Sequence, residues 1–174
     1  MAKGLFIFGN NKLAQLMMKY VTKYTDYQFL GFCVDREYML ENSFAGYSNI
    51  AFEDIENEYS KDDVEILICI GNNKMNDIRK SVYYNIKKNG YKIAQFIHPT
   101  ANLETDCIGE GNIILENANL GMGVKLGVCN VIWNGCNLSH DTWVGDFNYI
   151  TASVVVAGNA HIEDNCFFGI GSAV

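Results

Sequence analysis

The sequence is short of proline and of positive charge, and both shortages restrict what the protein can be. It has a single proline among 174 residues, with 13 lysines and arginines against 20 aspartates and glutamates, for a net charge of −7. Nucleic acids and anionic membrane surfaces are bound mainly through clustered Lys and Arg side chains. Because the chain contains no basic run or stripe, we expect no nucleic-acid partner.

Long apolar runs and paired cysteines are also missing. No apolar stretch approaches the ~20 residues that span a bilayer, and glycine interrupts the N-terminal segment too early for a signal peptide. The six cysteines form no Cys-x-x-Cys pair, which favours buried thiols in a cytoplasmic protein over disulfides or zinc. Neither His98 nor His161 shares a ligand spacing with acids. We therefore expect a cytoplasmic protein with no membrane insertion and no metal.

Residues 3–97 alternate between strand and helix patterns. Strands are predicted over residues 5–8, 28–34, 64–70 and 92–97. A helix is predicted from Leu13, with Asn10 or Asn11 as its N-cap. A second helix places Met75, Ile78, Val82 and Ile86 on one face and stops at residues 89–90. This alternation predicts a small parallel sheet covered by helices.

The pattern changes at the only proline, Pro99. From Ile108, every sixth residue is aliphatic or phenylalanine in twelve successive positions, and small residues such as Cys136 and Cys166 dominate two positions earlier. This is the hexapeptide repeat of a parallel β-helix, in which one side chain in six points into a triangular prism. We expect about four coils, with an irregular first turn in which Leu103 is displaced by one position.

One segment departs from the monotony of the repeat, and it contains Ser139, His140 and Asp141. A histidine beside an acid can act as a general base whose imidazolium form is stabilised by the carboxylate. Taken alone, an exposed His-Asp dipeptide is more often plain surface. The chemistry therefore depends on the rest of the chain.

Segments spread over essentially the whole chain share one resemblance. They are Phe8–Ala14, Val34–Asp35, Ile70–Asn73, Ile97–Ala101, Ser139–Asp141, Ala157–Asn159 and Asn165–Ile170. Together they resemble the sugar acetyltransferase family of the sialic acid O-acetyltransferases and the bacillosamine-pathway N-acetyltransferases. The resemblance implies a Rossmann-like, nucleotide-sugar-binding domain over residues 1–98 and a left-handed parallel β-helix acyltransferase domain over residues 99–174.

The resemblance also implies a reaction. An amino sugar linked to UDP or dTDP would accept an acetyl group from acetyl-CoA, for surface glycan biosynthesis, in a groove between subunits of a homotrimer. His140 would be the catalytic base and Asp141 the acid that raises its basicity. The residues matching acetyl-CoA contacts are Tyr149, Gly158 and Ile170, and those matching nucleotide-sugar contacts are Asn11, Lys12, Leu13, Asp35 and Gly71.

Several alternatives stay open at this stage. A sialic acid type O-acetyltransferase would use the same base and donor, and a non-catalytic nucleotide-sugar-binding protein would keep the fold. A nucleotide-binding oxidoreductase is disfavoured because residues 9–14 lack the Gly-x-Gly-x-x-Gly fingerprint. Lys12 either supplies a charge to the diphosphate or is simply solvated.

The end of the repeat carries one more expectation. The hexapeptide pattern is still in register at Val174, whereas members of the family usually continue through further coils. We therefore expect either an incomplete β-helix, as in a C-terminally truncated relative, or an end that is capped by other means.

Overall fold

The computed structural model describes residues 2–174, which divide into two compact units. The first holds the chain up to Ile70 together with Val82–Ala94, and the second holds Gly71–Ser81 together with Gln95–Val174. The division between the units falls four residues before the predicted boundary at residue 98. Residues 71–81, which the sequence placed in the first domain, group with the second.

The first unit is built on a six-stranded sheet. Its elements are β1 (Gly4–Phe8), α1 (Lys12–Tyr24), β2 (Gln28–Val34), β3 (Ser43–Phe44), β4 (Tyr47–Ala51), α2 (Ile55–Glu58), β5 (Val64–Ile68) and β6 (Lys92–Ile93), with 3-10 turns at Arg36–Tyr38 and Phe52–Asp54. The order is β3-β4-β2-β1-β5-β6, and every pairing is parallel except that of β3 with β4. The parallel sheet is confirmed, while β3 and β4 were not predicted.

The helices largely follow their sequence signals. Asn11 is the N-cap of α1, and its side chain accepts a hydrogen bond from the backbone N–H of Ala14. The helix α3 (Asp77–Lys88) begins two residues later than the Met75 of the predicted apolar face, because residues 74–76 have positive φ angles. Met75 is accordingly exposed. Over residues 2–174, no helix combines the length and apolarity needed to cross a membrane.

The strand predicted over residues 92–97 is two strands in the structure. Residues of β6 pair with β5 of the first unit. The next strand, β7 (Phe96–Ile97), pairs instead with β9 (Ile113–Ile114) of the second unit. The prediction of one continuous strand was therefore wrong, and Ala94 and Gln95 lie where the chain passes from one unit to the other.

The second unit is a parallel β-helix of short strands that form three sheets. Sheet I contains β8 (Asn102–Leu103), β10 (Asn119–Leu120), β13 (Asn137–Leu138) and β16 (Val155–Val156); sheet II contains β11 (Lys125–Leu126), β14 (Trp143–Val144) and β17 (His161–Ile162); and sheet III contains β7, β9, β12 (Val131–Ile132), β15 (Tyr149–Ile150) and β18 (Phe167–Phe168). Stacked strands are 18 residues apart from β9 onward, as three hexapeptides per coil require.

The predicted inward positions form the core of the prism. The residues at six-residue intervals from Ile114 to Ile162 are all less than 5% exposed. Ile108 and Phe168 pack against them from either end. In the first coil, Leu103 pairs with Leu120 at a spacing of 17. The displacement by one residue is therefore confirmed.

A ladder of stacked asparagine side chains inside the prism was not predicted from the sequence. Asn112, Asn130 and Asn148 are fully buried and lie 18 residues apart. The side-chain oxygen of each accepts a backbone N–H from the next coil, from Asn130 at 2.8 Å, Asn148 at 2.8 Å and Cys166 at 2.7 Å. These bonds satisfy donors at buried turns, where an unpaired N–H is costly.

Candidate active site

His140 and Asp141 lie on the turn that joins β13 to β14. Turns of the same kind lie one coil before, at residues 121–123, and one coil after, at residues 157–159. The backbone N–H of Asp141 donates to Met122 O at 2.9 Å, and that of Asn159 donates to His140 O at 3.0 Å. The three stacked turns fix the backbone of the His-Asp pair on one edge of the prism.

The two side chains contact each other as the sequence predicted. Nδ1 of His140 lies 3.0 Å from Oδ2 of Asp141, and the side chains are 65% and 63% exposed. A carboxylate acceptor at Nδ1 favours the neutral tautomer that carries its proton there. Nε2 is then the atom that can accept a proton from a substrate.

Gly158 lies against the imidazole ring. A Cβ atom placed on Gly158 would stand 2.6 Å from Nε2 and 2.7 Å from Cε1 of His140, closer than real Cβ atoms come, so the ring would have to move. The structure therefore brings together three residues of the predicted site: His140, Asp141 and Gly158.

Tyr149 and Ile170 lie elsewhere on the β-helix. Tyr149 belongs to β15 of sheet III and is only 9% exposed; its ring stacks with Phe167 at a centroid distance of 6.1 Å. Ile170 is 80% exposed in the turn after β18. Within the single chain, neither residue shares the turn that carries His140.

The predicted phosphate-loop residues divide into structural and exposed side chains. The Oδ1 atom of Asn11 accepts the capping hydrogen bond from Ala14, and its Nδ2 donates to Cys69 O at 2.8 Å. Leu13 is buried in the core, whereas Lys12 is exposed. Lys12 is thus the one side chain of the three that solvent reaches freely.

Asp35 follows β2 at the carboxyl end of the strand and is half-buried. Burial, reinforced by Glu53 and Glu37, raises the pKa of its carboxyl group, and a hydrogen bond from Asn85 at 3.4 Å opposes that rise. Gly71 belongs to the second unit. Its carbonyl accepts a hydrogen bond from Nη1 of Arg79 at 3.1 Å.

Arg79 is a fully buried arginine that the sequence did not mark out. Besides Gly71, its guanidinium donates to Cys129 O at 3.1 Å and to Phe147 O and Asn148 O at 2.5 and 3.0 Å. Burial lowers the pKa of the Arg79 side chain. These acceptors belong to turns one coil apart, so the 18-residue repeat was the only signal that could have connected them.

Asn76 makes a second attachment of the same segment. It is fully buried, and its Nδ2 donates to Asn165 O at 3.1 Å and Cys166 O at 2.9 Å. Residues 74–76 all have positive φ angles, a conformation that costs energy for residues other than glycine. The contacts of Asn76 and Arg79 explain why residues 71–81 group with the β-helix.

A shallow groove of about 410 Å³ runs along sheet II, and its lining includes Cys107, Lys125, Trp143 and Asp164. Trp143 stacks on His161 with ring centroids 4.0 Å apart. None of the predicted site residues lines this groove. Within residues 2–174, no group of three or more His, Cys, Asp or Glu side chains is placed to hold a metal ion.

Comparison with known proteins bears on this arrangement. No protein-family model matches the chain. The acetyltransferase domain of PglB from Neisseria gonorrhoeae FA1090 superposes with a TM-score of 0.85 at 22% identity, covering 98% of this chain and 82% of that one. The same domain in complex with acetyl coenzyme A matches with a TM-score of 0.85. The chain shares the fold of this acetyltransferase domain.

Matches at lower TM-scores agree with this fold. A variant of perosamine N-acetyltransferase from Caulobacter crescentus, in complex with CoA and GDP-perosamine, has a TM-score of 0.73 at 16% identity, covering 100% of this chain and 89% of that one. WeeI from Acinetobacter baumannii AYE has a TM-score of 0.67 at 13% identity, covering 99% and 94%. The three parallel sheets are consistent with the expected left-handed β-helix.

Proposed function

We propose that this protein is a sugar N-acetyltransferase, which moves an acetyl group from acetyl-CoA to the amine of a nucleotide-linked amino sugar. The observation that carries the proposal is the His140–Asp141 pair on an exposed turn of the β-helix. The fold is shared with an acetyltransferase domain solved with acetyl-CoA and with an N-acetyltransferase solved with CoA and GDP-perosamine.

The pair supplies the proton transfer that the reaction needs. The sugar amine attacks the thioester carbonyl, a C–N bond forms, and the C–S bond breaks. Nε2 of His140 accepts the proton released by the amine, and that proton then passes to the CoA thiolate. The Asp141 carboxylate holds Nδ1 and stabilises the imidazolium. Since the thioester is already activated, no covalent enzyme intermediate is required, and the buried Cys129 and Cys136 need no catalytic role.

The first unit would hold the nucleotide. We assign it the nucleotide-binding role of a Rossmann-like domain. Its parallel sheet places Asp35 directly after β2, where an acid in such folds contacts a ribose or a base. Exposed Lys12 is suited to the diphosphate, whereas Asn11 and Leu13 would contribute backbone groups. Our sequence-based choice of nucleotide is UDP or dTDP, and GDP belongs in the same test because perosamine N-acetyltransferase was solved with GDP-perosamine.

The remaining assignments come from the family resemblance. Gly158 and Ile170 would contact acetyl-CoA through their backbone, whereas Tyr149, which the resemblance gives the same role, has a buried ring. A homotrimer would place the donor between neighbouring subunits. We propose a cytoplasmic enzyme of surface glycan biosynthesis, testable by fractionation and light scattering.

The decisive experiment replaces His140 with alanine. Because the side chain is 65% exposed, the fold should survive, and turnover of amino-sugar nucleotides with acetyl-CoA should fall by ~10²–10⁴-fold. His161→Ala is a matched control, since His161 is also exposed and also contacts an acid, Glu163, at 3.2 Å. Equal activity in the two variants would refute the assignment of the base. Turnover confined to hydroxyl acceptors would replace the amine with the O-acetyl alternative.

A further inference from the structure

The imidazole of His140 lies where the side chain of residue 158 would otherwise be. A Cβ on Gly158 would meet three ring atoms of His140, at 2.6 Å from Nε2, 2.7 Å from Cε1 and 3.1 Å from Cδ2. Ordinary carbon contacts are about 3.5–4.0 Å. Any side chain at position 158 would therefore displace the ring by roughly 1 Å.

The coil register explains this contact. Residues 140 and 158 are 18 apart, as are the paired strands that flank their turns, so each occupies the same place on successive turns. The hydrogen bond from Asn159 N to His140 O holds the two turns together at 3.0 Å. The ring of His140 therefore covers the equivalent position of the next coil.

Backbone conformation does not demand glycine at this position. Gly158 lies outside the left-handed region, so an alanine could adopt the same φ without strain. Gly123, in contrast, has a φ of +75° and would be strained by any substitution. The need for glycine at position 158 is therefore one of space.

We propose that Gly158 is a positioning residue for His140: its missing side chain creates the space in which the imidazole lies against Asp141. This role rests on the proposed function of His140 as the base, and it differs from the backbone contact to acetyl-CoA that the family resemblance implies. With the ring in this space, Nδ1 stays 3.0 Å from Oδ2 of Asp141, and the direction of Nε2 is fixed.

Kinetics in two backgrounds separate the two roles. In the wild-type background, Gly158→Ala should lower kcat by ~10²-fold or more, within the range for loss of a general base. The KM for the sugar should change little. In the His140→Ala background, the same substitution should cause no further loss. Equal fractional losses in both backgrounds, or a raised KM for acetyl-CoA at unchanged kcat, would overturn the positioning role.

Gly169→Ala is the matched control. Gly169 also lies on the β-helix outside the left-handed region, and a Cβ there would meet no atom within 4 Å. It should retain the activity of the unchanged protein. A loss as large as that of Gly158→Ala would mean that adding any methyl group to these turns is harmful, which contradicts a specific role for position 158.

Nuclear magnetic resonance tests the proposal without any turnover. The chain has three histidines, so their ring ¹⁵N signals can be resolved and assigned. In the unchanged protein, neutral His140 should show the tautomer protonated at Nδ1. Gly158→Ala should shift the ring signals of His140 and leave those of His98 and His161 in place. Unchanged His140 signals would refute the positioning role, whereas shifted signals in a protein that transfers no acetyl group would refute only the proposed function.

Discussion

Replacement of Arg79 by methionine would test how the segment of residues 71–81 is held on the β-helix. Methionine keeps most of the buried aliphatic volume and removes every donor. Three carbonyls, those of Gly71, Cys129 and Phe147, lose an arginine donor. The fourth acceptor, Asn148 O, keeps a hydrogen bond from Val131 N at 2.9 Å.

The size of the effect follows from these contacts. Loss of the donor from a buried carbonyl costs about 1–1.5 kcal/mol at the lower end of the usual range, so the buried carbonyls of Cys129 and Phe147, with a smaller contribution from the part-buried carbonyl of Gly71, give about 3–4 kcal/mol. The lower end applies because the methionine variant no longer buries a cation, which offsets part of the loss. We expect the free energy of unfolding of the second unit to fall by this amount.

Urea denaturation followed by tryptophan fluorescence measures the free energy of unfolding of the second unit. Both tryptophans, Trp133 and Trp143, belong to the second unit, so the signal reports on the β-helix. With an m value of about 2 kcal/mol/M, the midpoint should fall by roughly 1.5–2 M. Arg79→Lys, which retains the charge but not the planar set of donors, should lie between the two.

Lys80→Met provides the control. Lys80 is the next residue, is partly exposed, and has its Nζ 5.7 Å from the ring centroid of Phe147. Its loss should cost no more than about 1 kcal/mol. If Arg79→Met were no more harmful than Lys80→Met, the hydrogen bonds of Arg79 would not be what holds residues 71–81 in place.

Two further predictions concern titratable groups. The pKa of Asp35 is raised in the folded protein, so its ionised form lowers stability above that pKa and has no effect below the ordinary carboxyl pKa of ~3.9. Asp35→Asn should therefore raise Tm at pH 7, and the gain should shrink toward pH 4. A lower Tm for this variant at pH 7 would contradict the prediction. Brief alkylation should label the exposed thiol of Cys107 first, as mass spectrometry can show. Burial raises the pKa of the Cys129 thiol to about 12 and that of the Cys136 thiol above its usual value, so both should react slowly. Uniform labelling of the cysteines would count against this burial.

The sequence predicted the β-helix well because each inward position is encoded directly. An apolar residue every sixth place needs no distant partner to be recognised, and Leu103 could even be identified as displaced by one. The alternating first part was also predicted, except that β3 and β4 were missed and that residues 92–97 form two strands rather than one. The exposed residues of β4, such as Tyr47 and Ser48, gave no continuous apolar run.

The contacts of the candidate site were predicted in part. His140 and Asp141 are neighbours in sequence, so a contact between their side chains needs no folding to be anticipated. The engagement of Asn11 as an N-cap was also visible, because Asn is favoured there. The burial of Leu13 follows from its place on the apolar face of α1, whereas the burial of Tyr149 was not anticipated, since the role of Tyr149 was carried over by resemblance.

By itself, the sequence determined the period of the β-helix, the parallel sheet before it and the adjacent histidine and aspartate, because each depends on local spacing. Only the tertiary structure decided that Gly158 lies against the imidazole of His140. It also decided that Arg79 and Asn76 hydrogen-bond residues 71–81 to the β-helix. Those contacts join positions that are far apart in the chain. They arise from the stacking of successive coils, which brings backbone carbonyls and empty glycine positions within reach of side chains that no local pattern distinguishes.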